Sequence, residues 1–409
     1  MRKLRIGCIG LSKRGTSMLK TILTMCHNTE VVAVCDLYPD RADAAAELVK
    51  EKYGYAPLCT TDANQVISMA DIDAVMIFTA WESHIDLAVK AMRAGVYVGV
   101  EVGGAYSVND CHRLVQTYEE TGTECMMLEN CCYGKTELAV LNMVRSGLFG
   151  EIVHASGGYH HELRSEIAGG EQNRHYRLRN YLNRNCENYP THELGPIAKV
   201  LNINRGNRMV TLSSFASKSR GLKEYISQHA DKYPELEGKE FKQGDVVTTV
   251  ITCADGSTIV LTLDTTLPRA YSRGFSVRGT KGSYFEDWDS VFLDNDPDGN
   301  HFDKKKFWGN ADAYRDEYKH PLWEKYEEAA SEAGHDGMDY MVLSAFFEAV
   351  EKNAHPPIDV YDMVAWMSIT PLSEESIANG GMPVSIPDFT NGKWLLYEKK
   401  DSGLEFALD

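Results

Sequence analysis

From Tyr189 to Pro196 the chain reads Tyr-Pro-Thr-His-Glu-Leu-Gly-Pro, which gathers a phenol, an imidazole and a carboxylate into five consecutive residues. These are the groups that general acid–base catalysis uses. Pro190 and Pro196 bracket the motif and restrict its backbone. Pro196 suits the first turn of a helix, and Ile197-Ala198-Lys199-Val200-Leu201 continues in helical character. The spacing predicts a helix opening at Pro196, with Tyr189, His192 and Glu193 at or just before its N-terminus. That end of a helix lowers a histidine's pKa, so His192 is expected to serve as a neutral base. An isolated Tyr–His pair is more often a helix cap beside a satisfied core histidine, so the surroundings must decide.

A second dense cluster, Gly157-Gly158-Tyr159-His160-His161-Glu162-Leu163-Arg164, reads as the end of a strand. In extended backbone Tyr159 and His161 share one face and His160 takes the other. Tyr159 and His161 are therefore a candidate acid–base pair, with a polar surface strand as the alternative. His161, Glu162, His192 and Glu193 also offer metal donors. No zinc spacing such as His-Glu-x-x-His occurs, so no metal is expected.

A third set of residues could hold a nucleotide. The strand-like run Leu4–Ile9 leads into Gly10-Leu11-Ser12-Lys13-Arg14-Gly15, and helical character follows from Thr16 to Met25. Strand, glycine turn and helix is the context of a dinucleotide fingerprint. Gly10 allows the tight turn and Gly15 allows close packing of helix on strand. Ser12 replaces the middle glycine and is small enough for the amides of the loop, Lys13 and Arg14 included, to approach a pyrophosphate. The next strand, Val31–Cys35, ends in Asp36, which lies 21 residues past Gly15. A carboxylate there grips ribose hydroxyls and repels a 2′-phosphate, so NAD is expected over NADP.

The elements that position these groups alternate. Ile72–Phe78 and Val96–Val100 read as strands, and Trp81–Ala94 between them reads as a helix closed by Gly95. Met126–Asn130 completes a sixth strand, and Tyr133–Arg145 is expected to be helical. Such alternation implies a parallel, doubly wound sheet, with ligands beyond the strand C-termini. Thr79, Trp81, His84, Glu101 and Val102 follow two such strands and are expected to line the cofactor cleft. For His84 a surface helix position is the alternative. Beyond Arg208 short strands recur, and Asp255-Gly256 signals a hairpin. Asp294 to Lys306 reads as a long loop, Met338–Lys352 as a helix with Met341, Ala345 and Phe346 in its core stripe, and 359–376 as a further helix.

Composition bounds the rest. A chain of 409 residues implies two domains, and 43% hydrophobic with 25% charged residues fits a globular protein. The net charge of -17 argues against nucleic-acid binding. No apolar run approaches the ~20 residues that span a bilayer. Met1-Arg2-Lys3-Leu4-Arg5 runs into a strand with no export signal, and ten cysteines show no CxxC pair, so a cytoplasmic location with reduced thiols is expected.

Gly10-x-x-x-Arg14-Gly15, Asp36, Trp81-x-x-His84 and Glu101 resemble the Gfo/Idh/MocA family of NAD(P)-dependent sugar and inositol oxidoreductases. That family usually carries Glu-Lys-Pro after its fifth strand, where this chain has Glu101-Val102-Gly103, and often an aspartate where this chain has Asn188. The motifs Leu128–Tyr133, Tyr159-x-His161-Glu162-Leu163-Arg164, Tyr189-Pro190-Thr191-His192, Gly334-His335-Asp336-Gly337-Met338-Asp339-Tyr340 and Asp359–Asp362 resemble one branch of it, the NAD-dependent α-N-acetylgalactosaminidases of glycoside hydrolase family 109. Glu193 stands where that branch usually has glycine.

The resemblance implies an α/β architecture. An N-terminal Rossmann domain, a doubly wound parallel sheet, would cover 1–130. A C-terminal α+β substrate domain over 131–409 would carry a large, mostly antiparallel, open-faced sheet. The 359–376 helix would return to the first domain. The resemblance also implies a tightly bound NAD that is recycled each turnover, with Asn130 among its contacts. It implies catalytic roles for Tyr159, His161, Tyr189 and His192, and substrate contacts from Tyr133, Arg164, Arg177, Glu193 and His335. The activity would be glycoside hydrolysis through transient oxidation, with an NAD-dependent sugar or cyclitol dehydrogenase as the alternative, in a homodimer or homotetramer.

Overall fold

Apolar runs too short for helices build the first sheet. β1 (Leu4–Ile9), β2 (Thr29–Cys35), β3 (Leu58–Thr60), β4 (Ala74–Ile77), β5 (Tyr97–Val100) and β6 (Cys125–Met127) pair in the order β3-β2-β1-β4-β5-β6. Every pairing is parallel. All residues of β4, β5 and β6 are buried, which is why these strands read as unbroken hydrophobic runs. This is the doubly wound order, reversing between β1 and β4. The computed structural model describes residues 2–294, 304–396 and 402–408, without the side chains of Glu193 and Lys304.

The chain forms two compact units. The first holds Met1–Gly134, Pro321–Ala365 and Lys399–Asp409, and the second holds Lys135–His320 and Trp366–Glu398. In the first unit the helix Met338–Lys352 buries Met341, Ala345 and Phe346 completely, as its apolar stripe predicts.

The second unit is built on β7 (Ile152–His160), β8 (Met209–Ala216), β9 (Val246–Cys253), β10 (Thr258–Asp264), β11 (Ser276–Gly279), β12 (Gly282–Phe285), β13 (Ser290–Leu293) and β14 (Val384–Ser385). Their order is β13-β12-β11-β7-β10-β9-β8-β14. All neighbours are antiparallel except β7 and β10. β9 and β10 alternate buried and accessible residues, so the sheet has one covered face. The helix Thr191–Val200 packs on β7 and the helix Ile369–Ala378 on β8. Gly256 takes φ +92 in the β9–β10 turn, where Asp255 Oδ1 accepts the Ser257 N–H at 2.9 Å.

Four expectations change. The helix expected from Pro196 begins at Thr191, with Pro196 inside it. Proline there withholds one N–H from the carbonyl of His192, and the rest of the helix tolerates the loss. The expected 359–376 helix is two helices, Val360–Met367 and Ile369–Ala378; the boundary between the units falls within the first, after Ala365, and the second belongs to the second unit. Of the loop expected from Asp294 to Lys306, residues 295–303 lie outside the described residues, and Lys304–Phe307 is a helical turn. The sixth strand stops at Met127, and Asn130–Tyr133 forms a 3-10 turn before the helix Lys135–Arg145.

One polar junction in the first unit gives a stability test. His355 Nδ1 lies 3.2 Å from both Glu124 oxygens, and its Nε2 lies 3.1 Å from Asp359 Oδ2. Burial opposes protonation, but the bonds to Asp359 and Glu124 prevail and raise the imidazole pKa to about 10. A pKa raised above the unfolded value of about 6.5 stabilises the fold fully below pH 6.5 and loses that effect as pH rises toward 10. His355→Gln should therefore melt below the wild type at pH 6, with the gap closing on the way to pH 10. A gap that widens with pH would contradict the assignment.

Candidate active site

In the second unit β7 and the start of the Thr191 helix bring two Tyr–His couples together. Tyr159 OH lies 2.9 Å from His161 Nδ1, and Tyr189 OH lies 3.3 Å from His192 Nε2. The couples touch: the Tyr159 and Tyr189 rings are 4.5 Å apart, and the Tyr159 and His192 rings 5.7 Å. Tyr159 and His161 meet because residues two apart in extended chain share a face. Tyr189 and His192 meet because the helix starts at Thr191, which sets His192 in its first turn. Asn188 anchors the approach, donating from Nδ2 to Gln243 Oε1 at 3.2 Å in the core.

Arg177 governs the electrostatics. Its guanidinium lies 5.0 Å from the Tyr189 ring centre and 6.0 Å from that of Tyr159, and its Nε lies 2.9 Å from Glu166 Oε1. Burial, then the Arg177 charge, lowers the His161 pKa against Glu166, which raises it. Burial raises the Tyr159 pKa, and Arg177 pulls it back down. At neutral pH both members of that couple are uncharged, with the proton of the hydrogen bond resting on the phenol. Tyr271 completes the wall, its half-exposed ring perpendicular to His161 at 5.0 Å. Nothing local in the sequence marks Tyr271 or Glu166. Their contacts cross sequence separations that periodicity does not reach.

The first unit carries a cradle at the C-terminal ends of its strands. Gly10 has φ +93, and a Cβ on it would lie 2.6 Å from Thr79 N. A Cβ on Gly15 would lie 1.9 Å from the Gly10 carbonyl oxygen. Neither position accepts a side chain, so the loop keeps its bare backbone. Ser12 caps the helix Lys13–Met25 in extended conformation without a side-chain bond, which leaves the first-turn amides for an anion. Asp36 is buried at the end of β2, where Oδ2 accepts Leu11 N–H at 2.6 Å and Oδ1 accepts Tyr38 N–H at 2.9 Å. Bare glycines, an open helix N-terminus and an acid after the second strand fit a dinucleotide.

The remaining expected residues divide. His84 is wholly buried, so it is neither a lining nor a surface residue. Burial lowers its pKa to about 4 against its bond to Thr79, and the neutral ring donates Nε2–H to the Thr79 carbonyl at 2.9 Å. It positions Thr79 instead. Trp81 packs on Gly103, where a Cβ would lie 2.3 Å from Trp81 Cδ1. Glu101 accepts Arg14 Nε–H at 2.9 Å, and Asn130 Nδ2 donates to Asp339 Oδ1 at 2.8 Å. Val102 is buried, and Lys13 is exposed.

Tyr133 is corrected from a substrate contact to a core residue: it is fully buried and donates its OH to the Phe406 carbonyl at 2.9 Å. His335 lies in the first unit, beside Asp339 and Arg14. Arg164 turns to Glu162 and to the Tyr225 ring. Arg177 joins the cluster as described. The Glu193 side chain lies outside the described residues.

Residues 133–396 match the family described as glycosyl hydrolase 109, C-terminal domain. The chain belongs to glycoside hydrolase family 109. Residues 4–129 match the oxidoreductase family with the NAD-binding Rossmann fold. A family 109 protein of Stenotrophomonas maltophilia is 40% identical, with 96% of this chain and 90% of that protein covered. A Tannerella forsythia protein named alpha-N-acetylgalactosaminidase is 38% identical, with 96% and 87% covered. The solved NAD binding oxidoreductase from Klebsiella pneumoniae shares the fold at TM-score 0.68 and 17% identity, covering 94% of this chain and 99% of that one. Among the described residues of this family 109 member, no helix is long and apolar enough to cross a membrane.

The electrostatic role of Arg177 is measurable. Arg177→Met removes a positive charge that lowers the pKa of both groups, so the pKa of His161 and that of Tyr159 should both rise. An NMR titration of labelled histidine reads the first. A His161 pKa that falls or stays fixed would contradict the arrangement.

Proposed function

We propose that this chain hydrolyses glycosides by transient oxidation of the sugar, with a resident NAD recycled each turnover. The single observation behind the reading is the joining of two Tyr–His couples in one aromatic cluster, in a chain whose β5 is followed by Glu101-Val102 with no lysine. A net alcohol oxidation needs one base. A redox-neutral elimination needs several proton transfers, and four phenol and imidazole groups in contact can share them.

NAD, when bound to the cradle, supplies the chemistry of taking hydride from the sugar C3 and returning it there. The chain's own residues carry the protons. The Tyr159–His161 couple accepts the proton of the C3 hydroxyl and passes it to solvent, then accepts the C2 proton, which the neighbouring ketone has acidified, and later a proton goes back to C2 and to the C3 oxygen as the sugar is restored. The His192–Tyr189 couple delivers a proton to the glycosidic oxygen as the aglycone leaves, and takes one from the water that adds at C1. Thr79, fixed by His84, Asp36 beside the glycine loop, and the first-turn amides of the Lys13 helix hold the dinucleotide. Asp36 selects NAD over NADP. Family 109 relatives named alpha-N-acetylgalactosaminidase make that glycoside the first to offer. The alternative is an NAD-dependent sugar or cyclitol dehydrogenase, which the shared oxidoreductase fold supports.

Two further readings belong here. Among the described residues no cysteine is in a disulfide, which supports a reducing, cytoplasmic setting. The accessible face of β8, β9 and β10 presents Thr211, Ser213, Phe215, Val250 and Thr262, and its Asp264, at the end of β10, is paired with Arg269. A second copy, joined through the same face, is the partner that a mostly uncharged sheet suits on a chain of net charge -17. Val250→Glu should convert a dimer or tetramer to monomer by light scattering, and a monomeric wild type would refute the assembly.

Cleavage in heavy water should place deuterium at C2 of the released sugar, with no added NAD and no net NADH. His192→Ala should lower turnover about 100-fold or more, the scale of a positioned acid–base group. NADH accumulating in step with substrate loss, with no deuterium at C2, would replace this reading by the dehydrogenase.

A further inference from the structure

Asp339 opens the helix Met338–Lys352 and is fully buried, yet its carboxylate accepts four hydrogen bonds. Arg14 Nη1 and Nη2 donate at 2.7 and 2.9 Å, Asn130 Nδ2 at 2.8 Å, and His335 Nδ1 lies at 2.8 Å. Arg14 completes the set by donating Nε–H to Glu101. Arg14 lies in the first turn of the helix that follows the glycine loop after β1, Glu101 follows β5, and Asn130 lies beyond β6. Asp339 thus gathers three strand ends of the sheet where a dinucleotide lies.

The backbone is bent to deliver it. His335 and Asp336 both have φ 52 and Gly337 has φ 90. Consecutive non-glycine residues in this left-handed region persist only where the surroundings enforce them, and such strain gathers at ligand clamps. A Cβ on Gly334 would lie 2.9 Å from Asp339 Oδ2, so the turn presses directly on the carboxylate. All three nitrogens of the Arg14 guanidinium are bound to Glu101 or Asp339. Moving the helix start that carries Arg14, and the loop before it, therefore breaks a part-buried ion pair whose carboxylate, Asp339, is fully buried.

We propose that Asp339 is a positioning residue whose bonds to Arg14 hold the dinucleotide loop closed and slow cofactor release. The inference rests on the resident NAD proposed above and gives it a physical cause. A redox-neutral cycle needs a cofactor that stays, whereas a dehydrogenase must exchange its cofactor every turnover.

The test compares release of radiolabelled NAD into excess unlabelled NAD from the wild type, Asp339→Asn and Arg14→Lys. Asp362→Asn, a buried carboxylate in the same unit, serves as the stability control. Asp339→Asn and Arg14→Lys should speed release about tenfold or more, the scale on which losing the partners of a bound group acts. Asp362→Asn should lower the melting temperature without speeding release. Equal release from the wild type and Asp339→Asn would overturn the proposal, as would equal acceleration in Asp362→Asn. If the purified wild type carries no NAD, the resident-cofactor reading fails by itself. The affinity for added NAD then decides, and equal dissociation constants for the wild type and Asp339→Asn overturn the proposal.

Discussion

A guanidinium buried against two phenol faces is the constraint on which the acid–base cluster depends. Arg177 is nearly inaccessible and Glu166 is its ion-pair partner. Moving such a charge out of water is costly unless paired and hydrogen-bonded. The sequence meets that cost with one carboxylate and with the electron-rich faces of Tyr159 and Tyr189. Burial and then this charge lower the His161 pKa, and the charge draws that of Tyr159 downward against burial. The imidazole is thereby kept neutral, and the phenol gives up its proton more easily than burial alone would allow.

The first unit solves a different problem, that of receiving an anion on a strongly acidic chain. It does so with backbone: amides at a helix start, glycines where no Cβ fits, and a carboxylate tied to the loop so that it fixes geometry. The neighbouring Lys13 is exposed, while Arg14 is neutralised by Glu101 and Asp339. Its side chain is thereby a structural tie, and recognition is left to the main chain.

Local signals were legible in the sequence. The β1–Gly10–helix unit, Asp36, the β9–β10 hairpin and the Met338 stripe each rest on residues a few positions apart, and each stands where periodicity places it. The contacts of Tyr159 with His161 and of Tyr189 with His192 were legible because the members of each couple are two or three residues apart. Misreadings came where burial or distant partners decide. The short β3, Leu58–Thr60, has mixed exposure and no apolar signature. His84 and Tyr133 look like site residues by type, but both are fully buried, with His84 Nε2 and Tyr133 OH bonded to the carbonyls of Thr79 and Phe406. Tyr271 and Asp339 act through contacts that only the folded sheet ends create.

The central claim is that hydride leaves and returns to the same sugar carbon while the aromatic cluster moves the protons. A glycoside carrying deuterium at C3 tests it most directly. The account predicts slower turnover of the labelled glycoside and full retention of the label at C3 of the released sugar. Equal rates for labelled and unlabelled glycoside, with the deuterium recovered in NADH and lost from the sugar, would contradict it.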